Sequence, residues 1–198
     1  MYIMNKFVNN QKYIAIKETA RELFWKHGFR RVTIMEICEK AGVSKMTFYK
    51  YFPDKTELAK TVFTNIVNEG MEEFSKVMKE DISASEKIKK IVLLKAESTN
   101  NISKEFLEDF YLGSEPDLRN FVEKKTAEVW QSLLEDWKRA QDAGIFRKDF
   151  KPELLLHISF KLIDLLKDEK LNQLYDSPQE FILEFARLIA YGISEVDR

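Results

Sequence analysis

Three observations predict an all-α fold for this chain of 198 residues. Apolar residues recur at helical spacing along most of its length, and no strand-like alternation interrupts them. Only four Pro and six Gly are present, too few for a turn-rich β design. Nearly all of them fall between the helical segments, as punctuation. Hydrophobic residues make up 44% of the chain, enough for a sizeable core. The pattern predicts about nine helices, arranged as a three-helix head over residues 1–56 and a larger helical body over 57–198.

The first helix is predicted over Tyr13–His27, where Ile16, Ala20, Leu23 and Phe24 repeat on one face and Gly28 closes the segment. Thr33 caps a short second helix, about Ile34–Lys40, with Glu36 three residues on to complete a capping box. Gly42 makes a tight turn. Ser44 then caps a third helix, about Lys45–Tyr51, which Pro53 ends because a residue before proline avoids the α region. Asp54 caps a long fourth helix with Leu58, Val62, Phe63, Ile66, Val67, Met71 and Phe74 at apolar positions; Gly70 inside it marks a possible bend. The body continues as helices at about Ala84–Asn100, Ser103–Leu112, Asp117–Ala143, Pro152–Glu169 and Pro178–Val196, divided by Gly113, Pro116, Gly144, Pro152 and Pro178.

Charge is divided unevenly. Residues 1–56 hold eleven Lys/Arg against five Asp/Glu, a net +6, while the remainder carries −7. A basic head on an acidic body points to an anionic partner at one end only. A single cysteine, Cys38, excludes an intrachain disulfide framework. No signal-peptide pattern opens the chain, and the most apolar run, Phe181 to Ile193, is broken by Glu184 and Arg187. The expectation is a cytoplasmic protein with no membrane partner.

The stretch AGVSKMTFYKYFPDK, Ala41 to Lys55, crowds lysines and aromatics into a short helix. Two short helices joined by a Gly-containing turn make a helix-turn-helix, whose second helix enters the DNA major groove. Such a helix needs one face anchored and one face free. Phe48 and Phe52, spaced i, i+4, are placed to anchor against Leu23, Phe24 and Ile37. Lys45, Thr47, Tyr49, Lys50 and Tyr51 are left to face outward, lysines for phosphate attraction and tyrosines for phosphate and sugar.

The segment Phe24 to Phe63, FWKHGFRRVTIMEICEKAGVSKMTFYKYFPDKTELAKTVF, resembles the N-terminal domain of TetR-family transcriptional regulators. The resemblance rests on Gly28–Phe29, Thr33, Ala41 to Ser44, Thr47 to Tyr49, Tyr51–Phe52 and Lys55. It implies DNA contacts by Thr33, Lys45, Thr47, Tyr49, Tyr51 and Lys55, with Lys45 and Thr47 at base-reading positions and Thr33, Tyr49 and Lys55 at phosphate positions. Three residues depart from the family pattern: Val32, Cys38 and Met46. Met46 is itself placed to touch a thymine methyl, and Lys50 joins the contact set by its charge. The resemblance also implies a repressor that binds a palindromic operator in double-stranded DNA as a homodimer and is released by a small-molecule effector held in the body.

In the last two helices apolar residues occupy more than one face: Leu154, Leu155, Ile158, Leu162, Leu165 and Leu166 in one, Phe181, Ile182, Phe185, Leu188, Ile189 and Ile193 in the other. One stripe serves the core, so the second is free for a partner subunit. The expected dimer seam is Leu154, Ile158, Leu162, Leu165, Phe181, Phe185, Leu188 and Ile189. Phe110, Trp130 and Phe160 are the expected effector-pocket aromatics.

Catalysis finds little support. The two histidines, His27 and His157, are far apart; Glu153 and His157 have metal-compatible spacing, but no Glu-x-x-His pair completes a di-iron set. Cys38 has no evident base beside it, and no Gly-rich phosphate loop is present. No catalytic residue, metal or cofactor is expected. The competing reading is a helical protein–protein adaptor without specific DNA binding, which salt-dependent retention on DNA would distinguish.

Overall fold

The computed structural model describes residues 11–165 and 168–193; within the helix over 152–165, the side chains of residues 156, 159, 160 and 162–164 lie outside that description. All regular structure among the described residues is helical. In chain order the helices are α1 (Gln11–Arg31), α2 (Ile34–Lys40), α3 (Lys45–Tyr51), α4 (Lys55–Lys79), α5 (Ala84–Ser98), α6 (Lys104–Tyr111), α7 (Pro116–Asp142), α8 (Pro152–Leu165), α9 (Glu169–Asn172) and α10 (Pro178–Ile193). The helix expected to run from 152 to 169 is described as far as Leu165, and it does not continue through Asp168, whose backbone is extended. Asp168 starts α9 instead, its carboxylate accepting from the N–H groups of Lys170 and Leu171.

The chain forms two compact units: residues 1–66 with 101–124, and residues 67–100 with 125–198. The packing boundary falls inside α4 and brings α6 into the same unit as the head.

In the first unit the expected apolar stripe of α1 is buried: Ile16, Ala20, Leu23 and Phe24 have at most 2% of their surface exposed. Phe24 lies against Phe29 and Phe110, with ring centroids 5.8 and 6.1 Å away. Phe110 in turn stacks on Phe106 at 4.3 Å and on Phe63 at 5.9 Å, so α1, α4 and α6 share one aromatic core. The Ser103 N–H donates to the Trp25 carbonyl at 3.1 Å, and the Ser103 hydroxyl caps α6 at Phe106.

Gly28 interrupts α1 with φ 76° and ψ 173°, a region open essentially to glycine alone. A Cβ there would lie 2.5 Å from Asp109 Oδ2 and 2.9 Å from the Glu105 carbonyl oxygen. Asp109 is 4% exposed. It accepts from the Arg30 backbone N–H at 2.8 Å through Oδ2 and pairs with the Arg30 Nε–H through Oδ1. The glycine thus lets α6 approach closely enough for its carboxylate to satisfy the chain just past the break.

In the second unit Ile88, Trp137, Ala140, Phe146, Leu155, Ala190 and Ile193 form the buried core, with Phe74, Ile91, Val92, Trp130, Leu133 and Leu134 packed around it. Ser83 and Glu86 cap α5 reciprocally. Gln179 Nε2 donates to the Ala96 carbonyl at 2.9 Å, tying the start of α10 to the end of α5. Gln141 Nε2 donates to the carbonyls of Arg147 and Phe150, at 2.9 and 3.0 Å, and fixes the turn after α7.

Two glycine substitutions are expected to act in opposite directions. Gly28→Ala meets both a forbidden backbone region and the α6 backbone, and should lower stability by about 1–3 kcal/mol. Gly70 lies within α4 with open space around its Cβ position. Gly70→Ala should therefore raise stability by about 0.5–1 kcal/mol. Urea midpoints of the two variants against the parent check both signs.

Candidate nucleic-acid interface

Capping places the two short helices where the sequence predicts, with the Thr33 half of the expected capping box formed and no return bond from Glu36. Thr33 Oγ1 accepts from the Glu36 N–H at 3.1 Å at the start of α2. Ser44 Oγ accepts from the Thr47 N–H at 3.1 Å at the start of α3. Between them Gly42 takes φ 66°, the left-handed value that closes the turn. Asp54 Oδ1 caps α4 through the Glu57 N–H at 2.8 Å.

One face of α3 is committed to the interior. Phe48 is fully buried and Phe52, at its C-cap, is 3% exposed. Their rings lie 5.9 Å apart, and Tyr13 stacks on Phe52 at 5.2 Å. Ile37 and Cys38 of α2 are buried. Burial pushes the Cys38 thiol up, away from the thiolate that a nucleophile needs. The other face is open: Met46 is 84% exposed and Tyr49 54%, and Lys45 and Lys50 are exposed beside them. An exposed methionine among lysines, opposite a buried phenylalanine, is a surface built for contact rather than for the core.

Thr47 and Tyr51 are half-buried. The Thr47 hydroxyl lies 3.0 Å from Ser44 Oγ and so belongs to the cap of α3 as well as to its outer surface. The Tyr51 ring packs edge-on against Tyr13 at 5.9 Å. Thr33 stands exposed at the start of α2.

Lys55 has a role that sequence reasoning missed. Its Nζ donates to the carbonyls of Phe29 and Val32, both at 2.8 Å, and sits 4.2 Å from the Phe29 ring centroid. Those carbonyls belong to the end of α1 past its break and to the connection with α2, so the ammonium ties that stretch to the first turn of α4. Burial lowers its pKa, while the carboxylates of Asp109 and Glu115 act in the opposite direction. A lysine just after a capping aspartate gives no sequence signal of this; only the tertiary path of the chain back to it does.

The remaining expected residues divide between the units. Phe110 is fully buried in the aromatic core of the first unit and offers no surface to a ligand, because Phe24, Phe29, Phe63 and Phe106 enclose it. Trp130 is half-buried in the second unit, 5.6 Å from the Trp137 ring. The Phe160 and Leu162 side chains lie outside the described ones. On α8 and α10, Leu154 is 57%, Ile158 37%, Leu165 40% and Leu188 68% exposed, with Tyr191 at 57% beside them. Phe181, by contrast, is 5% exposed and packed against Tyr175, so it serves its own chain's core. Phe185 and Ile189 are half-buried. Glu153 pairs with Lys138 at 2.9 Å, and His157 beside it is exposed.

A buried-backed, basic and aromatic second helix behind a glycine turn defines a helix-turn-helix protein. Residues 16–62 match the family model described as bacterial regulatory proteins, tetR family. The match covers the helix-turn-helix region alone, and the likeness to TetR-family transcriptional regulators rests on that region. Over 81 residues it is 27% identical to the fatty acid metabolism regulator protein of Bacillus subtilis (strain 168), a match spanning 41% of this chain and 42% of that protein. The structure is similar to the fatty acid degradation regulator FadR of Bacillus halodurans, with TM-score 0.69 and 18% identity over 93% of this chain and 97% of that one. It is also similar to a regulatory protein TetR of Rhodobacter sphaeroides, with TM-score 0.71 and 14% identity over 93% and 100%. At such identities these likenesses establish the all-α fold.

Removing the Lys55 ammonium leaves two partly buried carbonyls without their donor. Lys55→Ala is expected to destabilise the protein by about 1–3 kcal/mol. Met46→Ala, on the open face of α3, should leave stability within about 0.5 kcal/mol of the parent. Chemical denaturation of both variants provides the comparison.

Proposed function

We propose that the protein is a DNA-binding repressor that binds a palindromic operator as a homodimer and is released by a small-molecule effector. The observation that carries this reading is the division of α3 into a fully buried face at Phe48 and an open face bearing Lys45, Met46, Tyr49 and Lys50. Lys45, Met46 and Thr47 stand at the start of that helix, where a groove helix meets base edges. Thr33, Tyr49, Lys50, Tyr51 and Lys55 supply contacts to the phosphate backbone.

Two such helices, one DNA turn apart, require a dimer. The exposed Leu154, Ile158, Leu165 and Leu188 of α8 and α10 support a seam there, with Phe185 and Ile189 at its edge. An effector in the second unit would act by favouring one spacing of the two heads over another. The chain passes from the first unit to the second inside α4, between Ile66 and Val67, so that helix is the natural lever. The relatives named for fatty acid metabolism and degradation support genes of that metabolism as the targets to test first.

Selection of binding sequences from a random DNA pool tests the reading directly: a two-fold symmetric site is expected, and no enrichment would reject it. On the selected site, Thr47→Ala should cost on the order of 1–3 kcal/mol and far less on random DNA. Because Thr47 also touches the cap, its melting curve must match the parent's for this comparison to count. Equal losses on both DNAs would move base reading to Met46 or Lys50.

Leu188→Glu, charging the most exposed leucine of α10, is expected to give monomers in sedimentation velocity and to abolish operator binding. A parent protein that is monomeric at micromolar concentration would overturn the dimer.

A further inference from the structure

Sulfur is distributed unevenly between surface and core. Of the six methionines, Met1 and Met4 lie outside the described residues. Met71 and Met78 are half-buried, Met78 against the core of the second unit. Met46 and Met35 are 84% and 54% exposed, and both stand in the helix-turn-helix, on α3 and α2. Cys38 is the other sulfur among the described residues of the head, and it is 4% exposed, beside the buried Ile37. Burial keeps it a thiol rather than the reactive thiolate. The sulfur of the head that a solute can reach is thus thioether, and most of that surface belongs to Met46.

Met46 combines this exposure with its place on α3. It is the second residue of that helix, between the exposed Lys45 and the half-buried Thr47. Lys50, also exposed, follows four residues on and shares its face. Phe48 and Phe52 hold α3 from the buried side, so a change at Met46 leaves that anchoring intact. Oxidation to the sulfoxide turns a flexible apolar side chain into a polar one that carries an acceptor oxygen. Against a thymine methyl that oxygen loses water and gains no donor. Turned along the helix, it meets the Lys50 ammonium, which phosphate attraction needs.

We propose that Met46 is a reversible oxidation site for a peroxide, and that its sulfoxide releases the operator. One oxygen atom passes from hydrogen peroxide to Sδ of Met46: the O–O bond breaks and an S–O bond forms. The thioether is oxidised by two electrons, and the peroxide is reduced and leaves as water. Methionine sulfoxide reductase reverses the change, with a dithiol oxidised to a disulfide and the oxygen lost as water. Release of this kind rests on the reading of α3 as the helix that contacts the operator, and gives that helix an oxidative signal of its own.

The full-length protein is treated with hydrogen peroxide, the oxidised sites are assigned by peptide mass spectrometry, and affinity for the selected operator is measured before and after. Met46 is expected to oxidise ahead of Met71 and Met78 with the Cys38 thiol retained, and operator affinity to fall at least about ten-fold. Met46→Leu, close in volume and inert to peroxide, should keep through the treatment whatever operator affinity it starts with. Met35→Leu should lose affinity as the parent does. Methionine sulfoxide reductase with a dithiol should restore the treated parent; this step uses the parent alone, so it stands even where Met46→Leu binds poorly. Unchanged operator affinity in protein oxidised at Met46, an equal loss in treated Met46→Leu, or oxidation of Met46 no faster than of Met71 and Met78 would each overturn the proposal. So would a loss of affinity that accompanies a loss of the folded state in the melting curve. Operator affinity of the untreated protein is read separately, and its absence would reject the repressor reading. The order of oxidation among the methionines would then still uphold or overturn Met46 as the modification site.

Discussion

The head of this protein depends on one close approach, between the break in α1 at Gly28 and the side of α6 at Asp109. Everything that positions α2 and α3 follows the chain past that break. The Arg30 N–H emerges with no helical acceptor, and a buried carboxylate from a distant part of the sequence receives it. An unpaired buried carboxylate would cost several kcal/mol, so Asp109 and the Arg30 turn hold one another in place. The ring of Phe110 one residue on enters the same aromatic cluster as Phe24, Phe29 and Phe63. Polar and apolar contacts thus fix the same geometry, and the α1–α2 connection has little freedom left. Lys55 then closes it from the other side, through the carbonyls of Phe29 and Val32.

This construction explains how a helix of seven residues can present an open face. A helix that short is unstable alone. α3 persists because Ser44 satisfies its first turn and because Phe48 and Phe52 are locked into the core below it. Its outer residues are then released from any structural duty. Met46 and Tyr49 can be chosen for what they touch outside the protein, while Thr47, shared with the cap, and Tyr51, packed against Tyr13, serve both purposes.

What the sequence made legible was local. The caps at Thr33, Ser44 and Asp54, the glycine stop at Gly28 and the buried stripe of α1 all depend on residues within a turn or two of one another, and each is where the spacing placed it. The anchoring by Phe48 and Phe52 was legible for the same reason. Illegible were the partners of Asp109 and Lys55, which are 79 and 26 residues distant in sequence. Phe110 was read as a pocket aromatic because an aromatic on an amphipathic helix gives the same pattern whether it lines a cavity or fills one. The end of α8 was missed because the apolar periodicity continues through it, and only Asp168 shows that a new helix begins.

A signal for the missed residues was nevertheless present. Asp109 falls between Phe106 and Phe110 on the buried side of α6, and Lys87 falls beside Ile88 on the buried side of α5. A charged residue at an inward register position carries a desolvation cost that the fold must offset. For Asp109 the offset is visible: the Arg30 turn. For Lys87 it is the Met78 carbonyl, and for Lys55 the carbonyls of Phe29 and Val32.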